Sequence, residues 1–239
     1  MGLDARLRLA RLYLCTDARE RQGDLAEFLA AALAGGVDVV QLRQPGLRPE
    51  ARRAALEVAR RAAARHQALV GVDGPTAPAT ELGVDLLHLD QADDVTSTVR
   101  THLPPSALVG RSTHDGRQAD AALADDDLDY VWVGPVRAPA APPDQPAVGL
   151  DLVRHAARTA PVFSMRSKPW FAAGGINART LDAVLEAGAR RVCVAAAITT
   201  APDPQHAAEQ LSRALRDAWQ ADPAAERYTF AAAASTGRR

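Results

Sequence analysis

The chain has 239 residues, a formal net charge of −1, and 47% hydrophobic but only 4% aromatic residues. So small a charge excludes the basic footprint of a nucleic-acid or membrane-surface binder, and no apolar run approaches the ~18 residues of a membrane-spanning helix. The N-terminal residues Met1 to Arg8 lack a signal-peptide core, and Cys15 and Cys193 make no disulfide framework; a reduced, cytoplasmic protein is expected.

From Leu12 onward, short apolar runs alternate with helical Ala/Arg/Leu patterns. Strands are predicted at Leu12 to Thr16, Val37 to Arg43, Leu69 to Asp73, Leu86 to Leu89, Leu108 to Thr113, Tyr130 to Gly134, Trp170 to Gly174 and Arg191 to Ala195. Asp24 to Leu33 predicts a helix with Asp24 as N-cap and Glu27 at capping-box spacing. Thr180 to Gly188 reads as a helix that starts on a cap and stops at glycine. The strands are apolar at nearly every position, the pattern of parallel strands covered on both faces. Eight such units predict an α/β fold, a closed (β/α)8 TIM barrel in one domain over residues 8–222. A doubly wound sheet is the alternative, but no Gly-x-Gly-x-x-Gly turn is present. Residues 223–239 lack an apolar period and read as a disordered tail. The connections 135–148 and 160–168 are long, and the first is rich in Pro and Ala.

A barrel carries its site at the C-terminal ends of its strands. That rule selects Gln41 and Arg43, which share a strand face, then Asp73, then His88 with Asp90, Gln91 and Asp93. It continues with Ser112 and His114, Gly134 and Arg137, Gly174 and Gly175, and Ala195 and Ala196. Arg43 suits phosphate because its planar fork donates two bonds at once. Gly174-Gly175 and Ala195 to Ala197 could cradle phosphate with backbone N–H groups. His88, Asp90 and Asp93 have the residue types of a metal site and equally those of a solvated rim. Ser112 and His114 could form a nucleophile–base pair, although no third orienting residue is apparent. The remaining histidines, the Asp125 to Asp127 run and the two cysteines need no function. Cys15 and Cys193 fall on strands that would adjoin in a closed barrel, and read as buried thiols.

Several of these segments together carry a resemblance. Leu12-Tyr-Leu-Cys-Thr-Asp17, Gly35-Gly-Val-Asp-Val-Val-Gln-Leu-Arg43, Gly110-Arg-Ser-Thr-His-Asp115 and Lys168-Pro-Trp-Phe-Ala-Ala-Gly-Gly-Ile-Asn177 resemble the thiamine phosphate synthase family in its actinobacterial form. The resemblance implies a TIM barrel that joins hydroxymethylpyrimidine diphosphate to thiazole phosphate with Mg²⁺, releasing pyrophosphate through a carbocation-like pyrimidine. It implies small phosphorylated pyrimidine and thiazole ligands as partners. Gln41 and Arg43 would contact the pyrimidine diphosphate, Asp93 would be a Mg²⁺ ligand, and Ser112, His114, Gly174 and Gly175 match motif positions.

Other positions depart from the family pattern. A family lysine falls on Pro45. The family's Asn-Asp-Arg falls on Asp73-Gly74-Pro75, so a Mg²⁺ aspartate falls on Gly74 unless Asp73 serves. The family's Thr-x-Thr-Lys falls on residues 139–142, which read Pro-Ala-Ala-Pro, and a small polar residue near the end of strand 8 becomes alanine. The only lysine, Lys168, would start strand 7 at the far end of the barrel, leaving Arg137 and Arg48 as substitute cations. Three functions follow: a synthase that still works with a remodelled diphosphate loop, slowed by the lost cations; a non-catalytic or regulatory paralogue that binds a phosphorylated thiamine precursor or a protein partner; or a TenI-like thiazole tautomerase using His114.

Overall fold

Each apolar run predicted as a strand forms one in the computed structural model, which describes residues 1–74, 83–93, 96–137 and 148–235. The strands are β1 Leu12–Thr16, β2 Val39–Leu42, β3 Leu69–Asp73, β4 Leu86–Leu89, β5 Leu108–Thr113, β6 Tyr130–Val133, β7 Trp170–Ala173 and β8 Val192–Val194. All pair in parallel in sequence order, and β1 closes on β8 with Tyr13 opposite Cys193. The described helices are α1 Leu3–Leu9, α2 Leu25–Ala34, α3 Pro49–Ala64, α4 Thr96–Arg100, α5 Gly116–Ala124, α6 Gly149–Thr159, α7 Leu181–Glu186, α8 Ala196–Thr199, α9 Pro204–Gln220 and α10 Ala225–Ala234. This is the (β/α)8 barrel.

Strand alternation divides the core in two. Outward residues such as Leu14, Val40, Val70, Leu87, Val109 and Val131 pack under the helices, where Ala, Val and Leu dominate. The inward set, Tyr13, Val39, Leu69, Leu86, Leu108, Tyr130, Trp132, Phe171 and Cys193, fills the barrel and includes four of the chain's few aromatics. Gly110 makes room for them, because a Cβ there would strike the Tyr130 ring.

The N-terminal end of the barrel is closed. Leu3 and Leu7 of α1 pack onto the inner core. Asp38, Asp85 and Asp129 each precede a strand directly and accept N–H groups from the neighbouring strand: Arg11 and Leu12 (2.7 and 3.0 Å), Val70 (2.9 Å) and Val109 (2.8 Å). Burial pushes the Asp38 carboxyl up, and its two N–H partners oppose that rise. Lys168 caps α5 from below, donating Nζ to the carbonyls of Leu123 (2.9 Å) and Asp125, well away from the opposite rim.

Two local expectations are corrected. Residues 225–234, read as part of a disordered tail, form α10, with Ala225, Tyr228 and Ala232 buried against Leu9, Phe163 and Trp219. The burying stripe is two alanines and one tyrosine, too slight an apolar signal to stand out in sequence. Beneath it the fully buried Arg191 donates to the Arg8 carbonyl (2.7 Å) and Tyr228 Oη (3.0 Å), with Trp219 and Tyr228 rings within 6 Å. The second correction concerns Asp24, which occupies the N-cap of α2 but makes no capping bond. Both of its oxygens are taken by Arg19 (2.5 and 2.8 Å), which holds the carboxyl below its usual range.

Candidate active site at the barrel mouth

Inside the mouth lies a continuous hydrogen-bonded chain. Tyr13 Oη donates to Gln41 Oε1 (2.6 Å) and lies 3.2 Å from Tyr130 Oη; His88 Nδ1 is 3.2 Å from Tyr130 Oη, and His88 Nε2 is 2.9 Å from Ser112 Oγ. Once Tyr13 spends its single proton on Gln41, the other directions follow from donor counting. Tyr130 donates to Tyr13, His88 Nδ1–H donates to Tyr130, and Ser112 donates to His88 Nε2. Burial, and then the cations Arg43 and Arg111, hold His88 well below the ordinary imidazole range, so it is neutral at pH 7. Burial likewise raises both tyrosines and pushes Cys15 up to about 12, leaving that thiol protonated. Cys15 and Cys193 are free thiols; Cys193 is buried as expected, whereas Cys15 is only partly buried.

The pairing of Ser112 with His114 is thus corrected. Ser112 bonds His88, which arrives from β4, whereas His114 Nδ1 donates to the Gly134 carbonyl (2.6 Å). That bond requires a proton on Nδ1 and fixes the orientation of the His114 ring. Sequence spacing favoured the near neighbour, but the barrel brings two different strands together.

Above this chain sits the ionic rim. Arg43 Nη2 meets Asp90 Oδ2 at 2.9 Å and its Nε lies 3.5 Å from Asp73 Oδ2. All three side chains are partly exposed, so these pairs contribute at most about 1 kcal/mol and break easily. Burial raises the Asp73 carboxyl, and Arg43 opposes the rise. Asp93 turns one oxygen back onto the N–H of Asp90 (2.6 Å), and Gln91 donates Nε2 to the Ser112 carbonyl. Among the described residues, no group of three or more His, Cys, Asp or Glu could hold a metal.

The opposite rim is backbone. Gly174 and Gly175 take φ of +93° and +66°, and a Cβ on them would lie 2.5 Å from that of Pro135 and 2.6 Å from that of Arg137. Val136 N donates to the Ala173 carbonyl (2.8 Å) and Arg137 N to the Gly174 carbonyl (3.2 Å). These glycines let the β6 connection lie flat on the end of β7, which brings the exposed Arg137 beside them. Gly134 serves the same approach, since a Cβ there would strike the Ala173 carbonyl. Ala195 and Ala196 stand exposed where β8 passes into the single turn of α8. Residues 139–142 and Pro75 lie outside the described residues.

Residues 12–198 match the family described as thiamine monophosphate synthase. The chain belongs to that family. The thiamine-phosphate synthase of Streptomyces avermitilis is 48% identical over 213 residues, covering 89% of this chain and 97% of that protein. That of Mycobacterium tuberculosis is 50% identical over 221 residues, with the same two coverages of 89% and 97%. A thiamine phosphate pyrophosphorylase from Pyrococcus furiosus shares the fold, with a TM-score of 0.77 at 24% identity, covering 91% of this chain and 99% of that one.

Sequence reasoning missed Tyr13, Tyr130 and Trp132 as members of the site. Their signal was available: Tyr13 is two residues before Cys15, and Tyr130 and Trp132 are four and two before Gly134. They therefore share strand faces with positions at the mouth.

Proposed function

We propose that this chain is a thiamine phosphate synthase with a weakened diphosphate site, joining hydroxymethylpyrimidine diphosphate to thiazole phosphate. Descent is supported by near-50% identity to curated synthases across most of the chain. The observation that carries the weakened site is Arg43, shared between Asp73 and Asp90 with no lysine beside it, since Pro45 stands where the family has one.

In this reading the pyrimidine ring enters between β2 and β6, where Gln41, Ser112 and the neutral His88 form a buried polar wall. Its diphosphate lies toward Arg43, and the thiazole phosphate takes the backbone N–H groups of Gly174, Gly175, Ala195 and Ala196 with Arg137 beside them. Mg²⁺, when bound, neutralises charge on the departing diphosphate. Asp73 and Asp90 would hold it together with substrate oxygens, the usual way Mg²⁺ is bound, and Asp93 would orient Asp90 through its N–H. Arg43 must leave its carboxylates to reach the diphosphate, which its weak pairing permits. Each missing cation at the developing charge lowers the rate by roughly a hundredfold or more.

Steady-state formation of thiamine phosphate from the two substrates tests the proposal. Slow, Mg²⁺-dependent turnover supports it; saturable binding of the pyrimidine diphosphate without any product would identify a non-catalytic paralogue. A second reading, a TenI-like thiazole tautomerase, draws on His114, whose ring is held at the end of β5 by its bond to the Gly134 carbonyl. Isomerisation of a thiazole carboxylate phosphate without any coupling would favour it.

A further inference from the structure

The chain has three tryptophans, and two have satisfied indoles: Trp170 donates to the Ala160 carbonyl (2.8 Å) and Trp219 to Thr229 Oγ1 (3.3 Å). The third does not. Among the described residues, Trp132 Nε1 is buried and has no partner, and neither does Nε2 of the fully buried Gln41. An unpaired buried donor costs about 1–3 kcal/mol, and native structures keep few of them.

Packing prevents Trp132 from relieving this locally. Its ring lies on His88, with centroids 3.7 Å apart and planes 31° apart, and meets the Tyr13 ring edge-on at 5.1 Å. The residue is 6% exposed and sits in register with Ser112 on one side and Phe171 on the other. Ser112 commits its proton to His88, so toward anything entering the barrel it offers lone pairs. The barrel interior below the mouth therefore holds two buried, unspent donors and one acceptor beside an aromatic wall.

We propose that Trp132 is a specificity-determining residue, whose indole N–H donates, with the Gln41 amide, to ring nitrogens of an aminopyrimidine while Ser112 Oγ accepts from its amino group. The inference rests on the synthase reading, which supplies a planar ring of this class. An aminopyrimidine carries acceptor nitrogens beside an exocyclic donor, the complement of this set. A ring with an oxo group and N–H in those places would set donor against donor.

The test uses the full chain labelled with ¹⁵N-tryptophan, which gives three indole N–H signals. Hydroxymethylpyrimidine diphosphate is added with Mg²⁺ while calorimetry reports binding separately. The expected result is movement of the signal that Trp132→Phe removes, with the other two stationary. Trp132→Phe should also raise KM for the pyrimidine about tenfold with little change in kcat, as for one lost hydrogen bond. Should that variant fail to fold, Trp170→Phe and Trp219→Phe identify the Trp132 signal by elimination. Calorimetric binding with a stationary Trp132 signal, or an unchanged KM in Trp132→Phe, overturns the assignment and leaves the synthase reading standing. No binding at millimolar ligand overturns both.

Discussion

At the N-terminal end of the barrel, three aspartates accept backbone N–H groups from neighbouring strands and the only lysine caps a helix. At the mouth, the carboxylates of Asp73 and Asp90 share one half-exposed arginine, and two buried donors find no partner among the described residues. The same residue types are thus consumed by the fold at one end and left available at the other. The difference teaches that stability and ligand binding are divided along the barrel axis. Substitutions at the closed end should change unfolding and spare binding, and those at the rim should do the reverse.

The largest effect is expected from Tyr228→Ala. It empties the aromatic packing under α10 and removes a partner of the buried Arg191, for a loss of about 3–5 kcal/mol in chemical denaturation. Catalytic constants of the folded fraction should hold, and a parallel fall in kcat would break the division. Next is Arg43→Ala. It should reduce kcat/KM roughly a hundredfold, while the denaturation midpoint shifts by less than about 1 kcal/mol.

Acid sensitivity sharpens the comparison inside the mouth. His88 is neutral when folded because its pKa is depressed, whereas in the unfolded chain it takes a proton near pH 6.5. Below that pH the unfolded state binds more protons, so the His88 contribution to stability is lost as pH falls. The slope approaches 1.36 kcal/mol per pH unit, or about 1.4, below the unfolded pKa. Denaturation of wild type and His88→Gln between roughly pH 6.5 and 5 should show a shallower dependence in the variant. Equal slopes would mean that His88 protonates freely within the fold.

The smallest effect concerns Asp90→Gly. In the absence of Mg²⁺, freeing Arg43 from one half-exposed partner should tighten inorganic pyrophosphate binding by about two- to fivefold without measurable loss of stability. Weaker Mg²⁺-free binding would instead mean that Asp90 positions Arg43 for the anion rather than competing for it.

The barrel was legible because eight continuous apolar runs separated by amphipathic periods admit few other arrangements. Six of the eight strands, β1 and β3 to β7, begin where the runs do, and β2 and β8 begin within two residues of them. Of the site, Gln41, Arg43, His88 and Ser112 were legible as polar residues ending apolar strands. Their partners were not, because hydrogen bonds such as His88 to Ser112 join strands far apart in sequence. Gly174 and Gly175 were read for their N–H groups alone, yet they also make room for Pro135 and Arg137, a close approach only coordinates reveal. Asp24 shows the reverse failure: its local capping pattern was sound, but Arg19 offered the carboxylate a stronger, charged partner.

The claim that the mouth is a synthase site short of cations is tested most directly by steady-state kinetics of the purified protein. Thiamine phosphate formation should run at least roughly a hundredfold slower than in a family member bearing both lysines, and Pro45→Lys should raise it. Pro45→Lys is a cleaner rescue than Gly74→Asp, because Gly74 takes a φ of +89° that a carboxylate side chain would strain. An ordinary turnover rate in the unmodified chain, unchanged by Pro45→Lys, would contradict the account and assign the missing roles to Arg43, Arg137 and Asp73.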